Sequence, residues 1–112
     1  MELPRPIPTD LAEMIAARLR VIGDPNRIRI LDQLREGELS VTEITERLEM
    51  SQQNASKHLG VLLGAGIVAR RKEGTASLYS VADEGVFALC EQVCGGIQDR
   101  LTELSEMVGG AS

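Results

Sequence analysis

Cys90 and Cys94 are the two cysteines of this chain. On a helix their spacing puts both thiols on one face, one turn apart. Two thiolates so placed supply half of a tetrahedral soft-metal site, and a symmetry-related helix would supply the other half. This reading implies a transition metal or metalloid ion (zinc, nickel, copper, cadmium or arsenite), without choosing among them. The same pair could instead react with an oxidant or a persulfide, although a disulfide within one helical turn is strained. A third reading is packing alone, because cysteine is small and readily buried and Cys90 lies on an apolar stripe. All three stay open on the sequence.

A second candidate site spans residues 50–72. Its charged residues are Lys57, Arg70, Arg71 and Lys72, and all 17 acids of the chain lie outside it. The chain as a whole carries a formal charge of −5. That total argues against a general polyanion binder, but local field decides whether a duplex can dock. Ser51, Gln52, Gln53, Asn54, Ser56, Lys57 and His58 form a polar run. Glutamine and asparagine suit adenine edges, and lysine suits guanine or phosphate. The plain alternative for Arg70, Arg71 and Lys72 is an edge strand protected by charge. His58 is the single histidine. It shares an edge with Ala55, Leu59 and Leu62, which fits a half-buried residue bonded to a backbone group or a phosphate better than a metal ligand.

Five helices and one hairpin must position these residues. The first covers residues 10–22, with Asp10 and Glu13 in capping-box spacing and Leu11, Met14, Ile15, Leu19 and Ile22 on one stripe. The second begins at Asp24 and Pro25, a cap followed by proline at the first helical position, and buries Ile28, Leu31 and Leu34. Ser40 and Glu43 form a capping box for the third, which turns Ile44 and Leu48 inward. Ser51 caps the fourth, which buries Ala55, Leu59, Leu62 and Leu63. Gln52, Gln53, Ser56, Lys57 and Gly60 make its other face. Two short helices with a tight turn between them, the second polar and lightly basic, predict a helix-turn-helix. Residues 67–72 and 76–81 read as strands around Gly74. A hairpin directly after a recognition helix is a wing, whose basic residues reach phosphate or the minor groove. The fifth helix covers residues 83–108, with Val86, Cys90, Val93, Ile97, Leu101, Leu104 and Val108 at spacings of three and four. So long a terminal stripe has little domain left to cover it, which predicts a dimer surface shared with the first helix, the alternative being packing back on the first helix within one chain. Gly95 and Gly96 interrupt it, at roughly 1 kcal/mol each against alanine, and indicate close helix approach or a kink.

The run Val21-Ile22-Gly23-Asp24-Pro25-Asn26-Arg27-Ile28-Arg29-Ile30-Leu31 is similar to the "LGDPTRLRIL" hallmark of the ArsR/SmtB family of winged-helix repressors. Residues 44–48 and 51–62 resemble that family's "LAERLGLSQSTVSRHLKVL" helix-turn-helix. Ala65-Gly66-Ile67-Val68 and Leu78-Tyr79-Ser80-Val81 resemble its "AGLV" entry to the wing and "YRL" exit. The resemblance covers residues 10–108. It implies a mainly α fold with a small β-hairpin, four helices, two strands and a fifth helix in that order. It also implies a homodimer on an inverted-repeat operator, released by a metal, metalloid or thiol oxidant. Three departures stand out. Glu49 occupies a turn position where glycine or a small residue is common. The third helix has no Cys-x-Cys pair. The fifth has no histidine, so neither of the family's two usual inducer sites carries over.

Other classes fit less well. The chain has one Phe, one Tyr and no Trp, which removes the aromatic platforms used on single-stranded nucleic acid. One histidine, two cysteines on an apolar stripe and no phosphate-loop glycine spacing give no catalytic pair, so an enzyme is not expected. A winged helix used only for protein contact would have no need to exclude acids from residues 50–72. The length suits one domain over residues 10–108, with a flexible arm at 1–9, where Pro4, Pro6 and Pro8 fall, and a flexible tail at 109–112. No run reaches the ~18 apolar residues of a membrane helix, and no export signal opens the chain, so a cytoplasmic protein is expected.

Overall fold

The computed structural model describes residues 2–110. The elements run α1 Thr9–Ile22, α2 Pro25–Leu34, β1 Leu39–Ser40, α3 Val41–Leu48, α4 Gln52–Gly64, β2 Val68–Glu73, β3 Ala76–Val81 and α5 Gly85–Gly110. Caps set most of these boundaries. Asp24 accepts from the N–H groups of Asn26 and Arg27, and Pro25 opens α2. Ser40 and Glu43 complete their reciprocal capping box on α3. Ser51 accepts from the Asn54 N–H and starts α4. The expected capping box on α1 does not form. The cap position is Pro8, with no side-chain acceptor, and Asp10 lies inside the first turn, where its charge faces the helix dipole.

The turn between α3 and α4 carries the one non-glycine residue with positive φ, Glu49 at 53°, among those described. Its N–H and that of Met50 both return to the Thr45 carbonyl. A left-handed cap is what the two-helix geometry needs, and here a side chain is tolerated where glycine would be unstrained. Arg29 steadies the same turn from α2, donating from Nη2 to the Leu48 carbonyl at 3.2 Å.

The sheet has three strands, in order β1-β3-β2, all antiparallel. The hairpin pairs Val68 with Val81 through to Glu73 with Ala76, and Gly74, with φ 63°, closes it. Strand β1 was not expected: Leu39 pairs with Tyr79 and Ser40 with Leu78. A two-residue strand has no period to detect, and its partner is distant in sequence.

The core gathers Ile30, Leu31 and Leu34 of α2, Ile44 and Leu48 of α3, Ala55, Leu59 and Leu62 of α4, and Ile67, Val68 and Tyr79 of the sheet region. Ile28, expected on the buried face of α2, is exposed, and Ile30 takes that place. Arg18 anchors α1 by donating to the Ala65 carbonyl at 2.9 Å and to Asp83 at 2.5 Å. Asp83 also accepts from the Gly85 N–H, so it leads into α5 rather than belonging to it.

Only the first turns of α5 pack on the domain. Val86 is buried, and Phe87, Leu89 and Cys90 are half-buried. Arg35 of α2 sits 4.7 Å over the Phe87 ring and pairs with Glu91 at 3.1 Å. From Glu91 to Gly109 every residue is exposed. The helix continues through Gly109 and Gly110; Met1 and residues 111–112 of the expected arm and tail lie outside the described residues.

Glu49→Gly should stabilise the fold by about 0.5–1 kcal/mol, because glycine removes the left-handed strain at a small entropy cost. A higher urea midpoint at unchanged slope is the expected reading. An unchanged or lower midpoint would mean that Glu49 sits there without strain.

Candidate nucleic-acid interface

Helix α4 buries Ala55, His58, Leu59 and Leu62 along one stripe. Gln52, Gln53, Ser56, Lys57 and Gly60 lie on the opposite, exposed face. The two faces follow from positions three and four apart falling on the same side of a helix. Asn54 is half-buried at their boundary. Ser51 is exposed, and its oxygen accepts from the Asn54 N–H at 3.0 Å, leaving its hydroxyl proton and one lone pair for a ligand.

His58 does not join the exposed set. It is 6 % exposed, one turn on from Ala55 on the apolar stripe, and its Nδ1 lies 3.2 Å from the guanidinium of Arg27. The expectation that it faces DNA is therefore withdrawn. The stripe decides the direction of the side chain, and Arg27 supplies the polar partner that burial requires.

The wing separates its three bases. Side chains on a strand alternate between faces. Arg70, opposite Tyr79, and Lys72, opposite Ser77, share one face, and Arg71, opposite Leu78, takes the other. All three are exposed. Arg71 is already engaged, its Nε and Nη2 donating to both carboxylate oxygens of Glu38 and its Nη2 to Glu73 at 3.0 Å. Glu38 is held below the usual carboxylate range, chiefly by this hydrogen bonding, and Arg71 is pushed above its own already high value by it. A lowered carboxylate keeps the pair charged at every pH above its depressed value and releases it only as the pH falls through that value. Both side chains are solvent-exposed, so the pair is a weak one.

Residues 50–72 are thus acid-free along the chain but not in space. Glu38 approaches from 33 positions away, carried there by the short strand β1, and Glu73 directly follows the run. Lys57, Arg70 and Lys72 form no ion pair among the described residues.

Asp24 caps α2 beside this region. Burial pushes its carboxyl up, but the N–H bonds from Arg27 and Asn26 and the Arg27 charge outweigh that and leave it lowered. Cys90 is half-buried and Cys94 exposed, and both line the cleft between α2 and α5 with Ile28, Leu31 and Phe87. No group of three or more His, Cys, Asp or Glu side chains converges as a metal set among the described residues. Nor is any helix among them long and apolar enough to cross a membrane.

Comparison with known proteins gives a consistent picture. Residues 22–71 match the family described as a helix-turn-helix domain. The chain is similar to the HTH-type transcriptional regulator NmtR of Mycobacterium tuberculosis, 34% identical over 87 residues, covering 78% of this chain and 72% of that one. It is also similar to the uncharacterized HTH-type transcriptional regulator Rv0081 of the same organism, 34% identical over 107 residues and covering 91% and 94%. The crystal structure of Rv0081 superposes with a TM-score of 0.74 over 83% of this chain and 94% of that one. The homodimeric winged helix-turn-helix domain of Mb0332 from Mycobacterium bovis, described as a possible ArsR-family transcriptional regulator, has a TM-score of 0.71. It is 31% identical and covers 84% of this chain and 87% of that one.

Replacing Glu38 and Glu73 together with glutamine should free Arg71 for phosphate. Duplex affinity should rise, and its log–log salt dependence should steepen by about 0.9, the increment for one further phosphate contact. Titrations at a series of salt concentrations measure this. An unchanged slope would show that the two acids do not hold Arg71 away from DNA.

Proposed function

The chain belongs to the ArsR/SmtB family of winged-helix transcriptional regulators, and on that footing we propose that it is a homodimeric repressor of an inverted-repeat operator. It acts by binding duplex DNA and not as an enzyme. The observation that carries the reading is the bare polar face of α4, where Gln52, Gln53, Ser56 and Lys57 stand exposed on a helix without a single carboxylate. In the major groove, Gln53 and Gln52 would read adenine edges, with Lys57 on guanine or phosphate. Ser51 and Asn54, at the helix start, and Arg70 and Lys72, on the wing, would fix register on the backbone. Arg71 has a secondary part until its acids release it.

Dimerisation follows from area. Val93, Ile97, Leu101, Leu104 and Val108 of α5 are 40–73 % exposed. Covering a side chain of this size from that state yields roughly 1–2 kcal/mol, and two copies bring ten of them together. That sum matches or exceeds the ~4–15 kcal/mol of freedom lost on association. Met14 and Leu19 of α1 are exposed as well, and Leu19 lines a cleft with Val93 and Ile97 of α5. A symmetric pair would present two α4 helices, and operator half-sites about 34 Å apart set the separation that they must reach.

Cys90 and Cys94 are the residues that would hold a soft metal or metalloid ion. Among the described residues one chain offers two thiols and no converging third ligand, so a complete set needs the second copy. Such an ion, when bound, supplies a brace between the subunits. The role of this chain's own residues is to set the seam on which the α4 spacing depends. By linkage, whatever weakens DNA binding from this site is itself weakened by DNA in equal measure.

Footprinting on the promoter of its own gene should show protection of two half-sites, with affinity well above that for random duplex. Lys57→Ala should weaken binding to all sequences and flatten the salt dependence by about 0.9. Gln53→Ala should instead cost about 1–3 kcal/mol of discrimination at one base pair. Equal affinity for operator and random DNA would overturn the repressor reading. Titration with zinc, nickel, copper(I), cadmium and arsenite should find one ion per dimer with loss of DNA binding. Cys90→Ser with Cys94→Ser should abolish that response and leave DNA binding intact. A response that survives both substitutions removes the cysteine site alone.

A further inference from the structure

His58 is the one buried polar side chain among the described core residues, and it lies on the helix that carries the polar DNA-facing residues. Its Nδ1 sits 3.2 Å from Nη1 of Arg27. A guanidinium can only donate, so this contact needs Nδ1 as acceptor and a neutral imidazole with its proton on Nε2. The same guanidinium donates from Nε to the Val21 carbonyl at 2.5 Å and from Nη2 to the Arg20 carbonyl at 3.4 Å. The Arg27 N–H donates to the Asp24 carboxylate, whose oxygen also lies 4.0 Å from Nδ1 of His58. One arginine therefore ties together the last turn of α1, the first turn of α2 and the middle of α4.

We propose that the Arg27–His58 contact is a positioning device that fixes the angle of α4 against α1, and that discrimination between operator and random DNA depends on it. The inference rests on the reading that α4 enters the major groove. Ala55, Leu59 and Leu62 seat the middle of α4 by apolar packing, and Arg18 of α1 donates to the Ala65 carbonyl only at its C-terminal end. Apolar packing is non-directional and lets a helix roll or slide at little cost. A hydrogen bond falls off steeply with angle, so it resists that motion. Reading base edges requires such constraint, whereas holding phosphates does not. Because α1 adjoins the proposed dimer surface, the contact also refers each α4 to its counterpart on the second copy.

The test compares operator and random-duplex affinities for folded wild type and variants. His58→Leu removes the acceptor. Asparagine carries an oxygen near the place of Nδ1, so His58→Asn keeps it. His58→Leu should lower the operator-to-random ratio by about tenfold, the typical value of one directional hydrogen bond left unmade, with random-duplex affinity unchanged. His58→Asn should restore the ratio to within about threefold of wild type. If His58→Leu does not fold, Arg27→Met removes the donor and carries the same expectation. Nitrogen NMR of the single imidazole should show the Nε2–H tautomer. A folded His58→Leu with an unaltered ratio overturns the proposal, as does a His58→Asn equally impaired, or an Nδ1–H tautomer. If wild type discriminates its operator and these variants do too, the positioning role alone fails. A wild type without preference overturns the repressor reading and this inference with it.

Discussion

A helix that reads DNA has to be held by one face and left bare on the other. Helix α4 meets that constraint with a stripe of Ala55, His58, Leu59 and Leu62 against the core and a polar face with no packing role. Everything upstream serves the grip. Asp24 starts α2, which provides Ile30, Leu31 and Leu34 to pack beneath α4. The Ser40 box starts α3 and the strained Glu49 ends it, so that α4 leaves at the required angle. Arg29 on the Leu48 carbonyl satisfies an acceptor at the end of α3 that the helix itself leaves open. A polar face that did packing work could not also be offered to a ligand, which is why separation of the two faces is the feature the proposed function needs.

Charge along the chain and charge in space are different quantities, and the wing shows the difference. The basic run gains its local field from acids being distant in sequence, yet β1 returns Glu38 to Arg71. Strand alternation puts Arg70 and Lys72 on the opposite face from that contact. The wing therefore divides its bases between a brace across the sheet and two cations without ion pairs among the described residues. For an exposed pair the Coulomb gain is small, so the brace orders Arg71 more than it stabilises the domain. A phosphate offering bidentate acceptors is a credible competitor for the same guanidinium.

The elements that could be read from the sequence were those with local causes. Ser40 with Glu43, Asp24 with Pro25, and Ser51 each mark a helix start within four residues, and the structure forms all three. The alternation around Gly74 likewise gave the hairpin, to within a residue. The failures had non-local causes. Strand β1 exists only because Leu39 meets Tyr79. Asp10 has the spacing of a capping box but no reason to prefer it once Pro8 sets the first turn. For the candidate site, the exposure of Gln52, Gln53, Ser56 and Lys57 followed from helical period, and so, on a stricter reading, did the burial of His58 beside Ala55 and Leu62. What the period could not supply was Arg27, whose role depends on α1, α2 and α4 converging.

The distribution of apolar surface on α5 separates the domain into a finished part and an unfinished one. Val86, Phe87 and the Arg35 contacts complete the core, and from Glu91 to Gly109 the helix is exposed. Gly95 and Gly96 lie in that exposed stretch, where an added Cβ would meet nothing within 4 Å. Glycine inside a helix costs about 0.5–1 kcal/mol against alanine, and no crowding among the described residues requires it at either position. A second helix crossing closely there gives the cost a purpose, because small residues let backbones approach. Cys90 and Cys94 stand just before those glycines, at the point where α5 leaves the core. Chemistry at the two thiols would therefore act on the intrachain cleft with α2 and on the seam with a second copy at once. Under the proposed function that position, more than the ligand count, would suit the pair to altering the distance between two α4 helices.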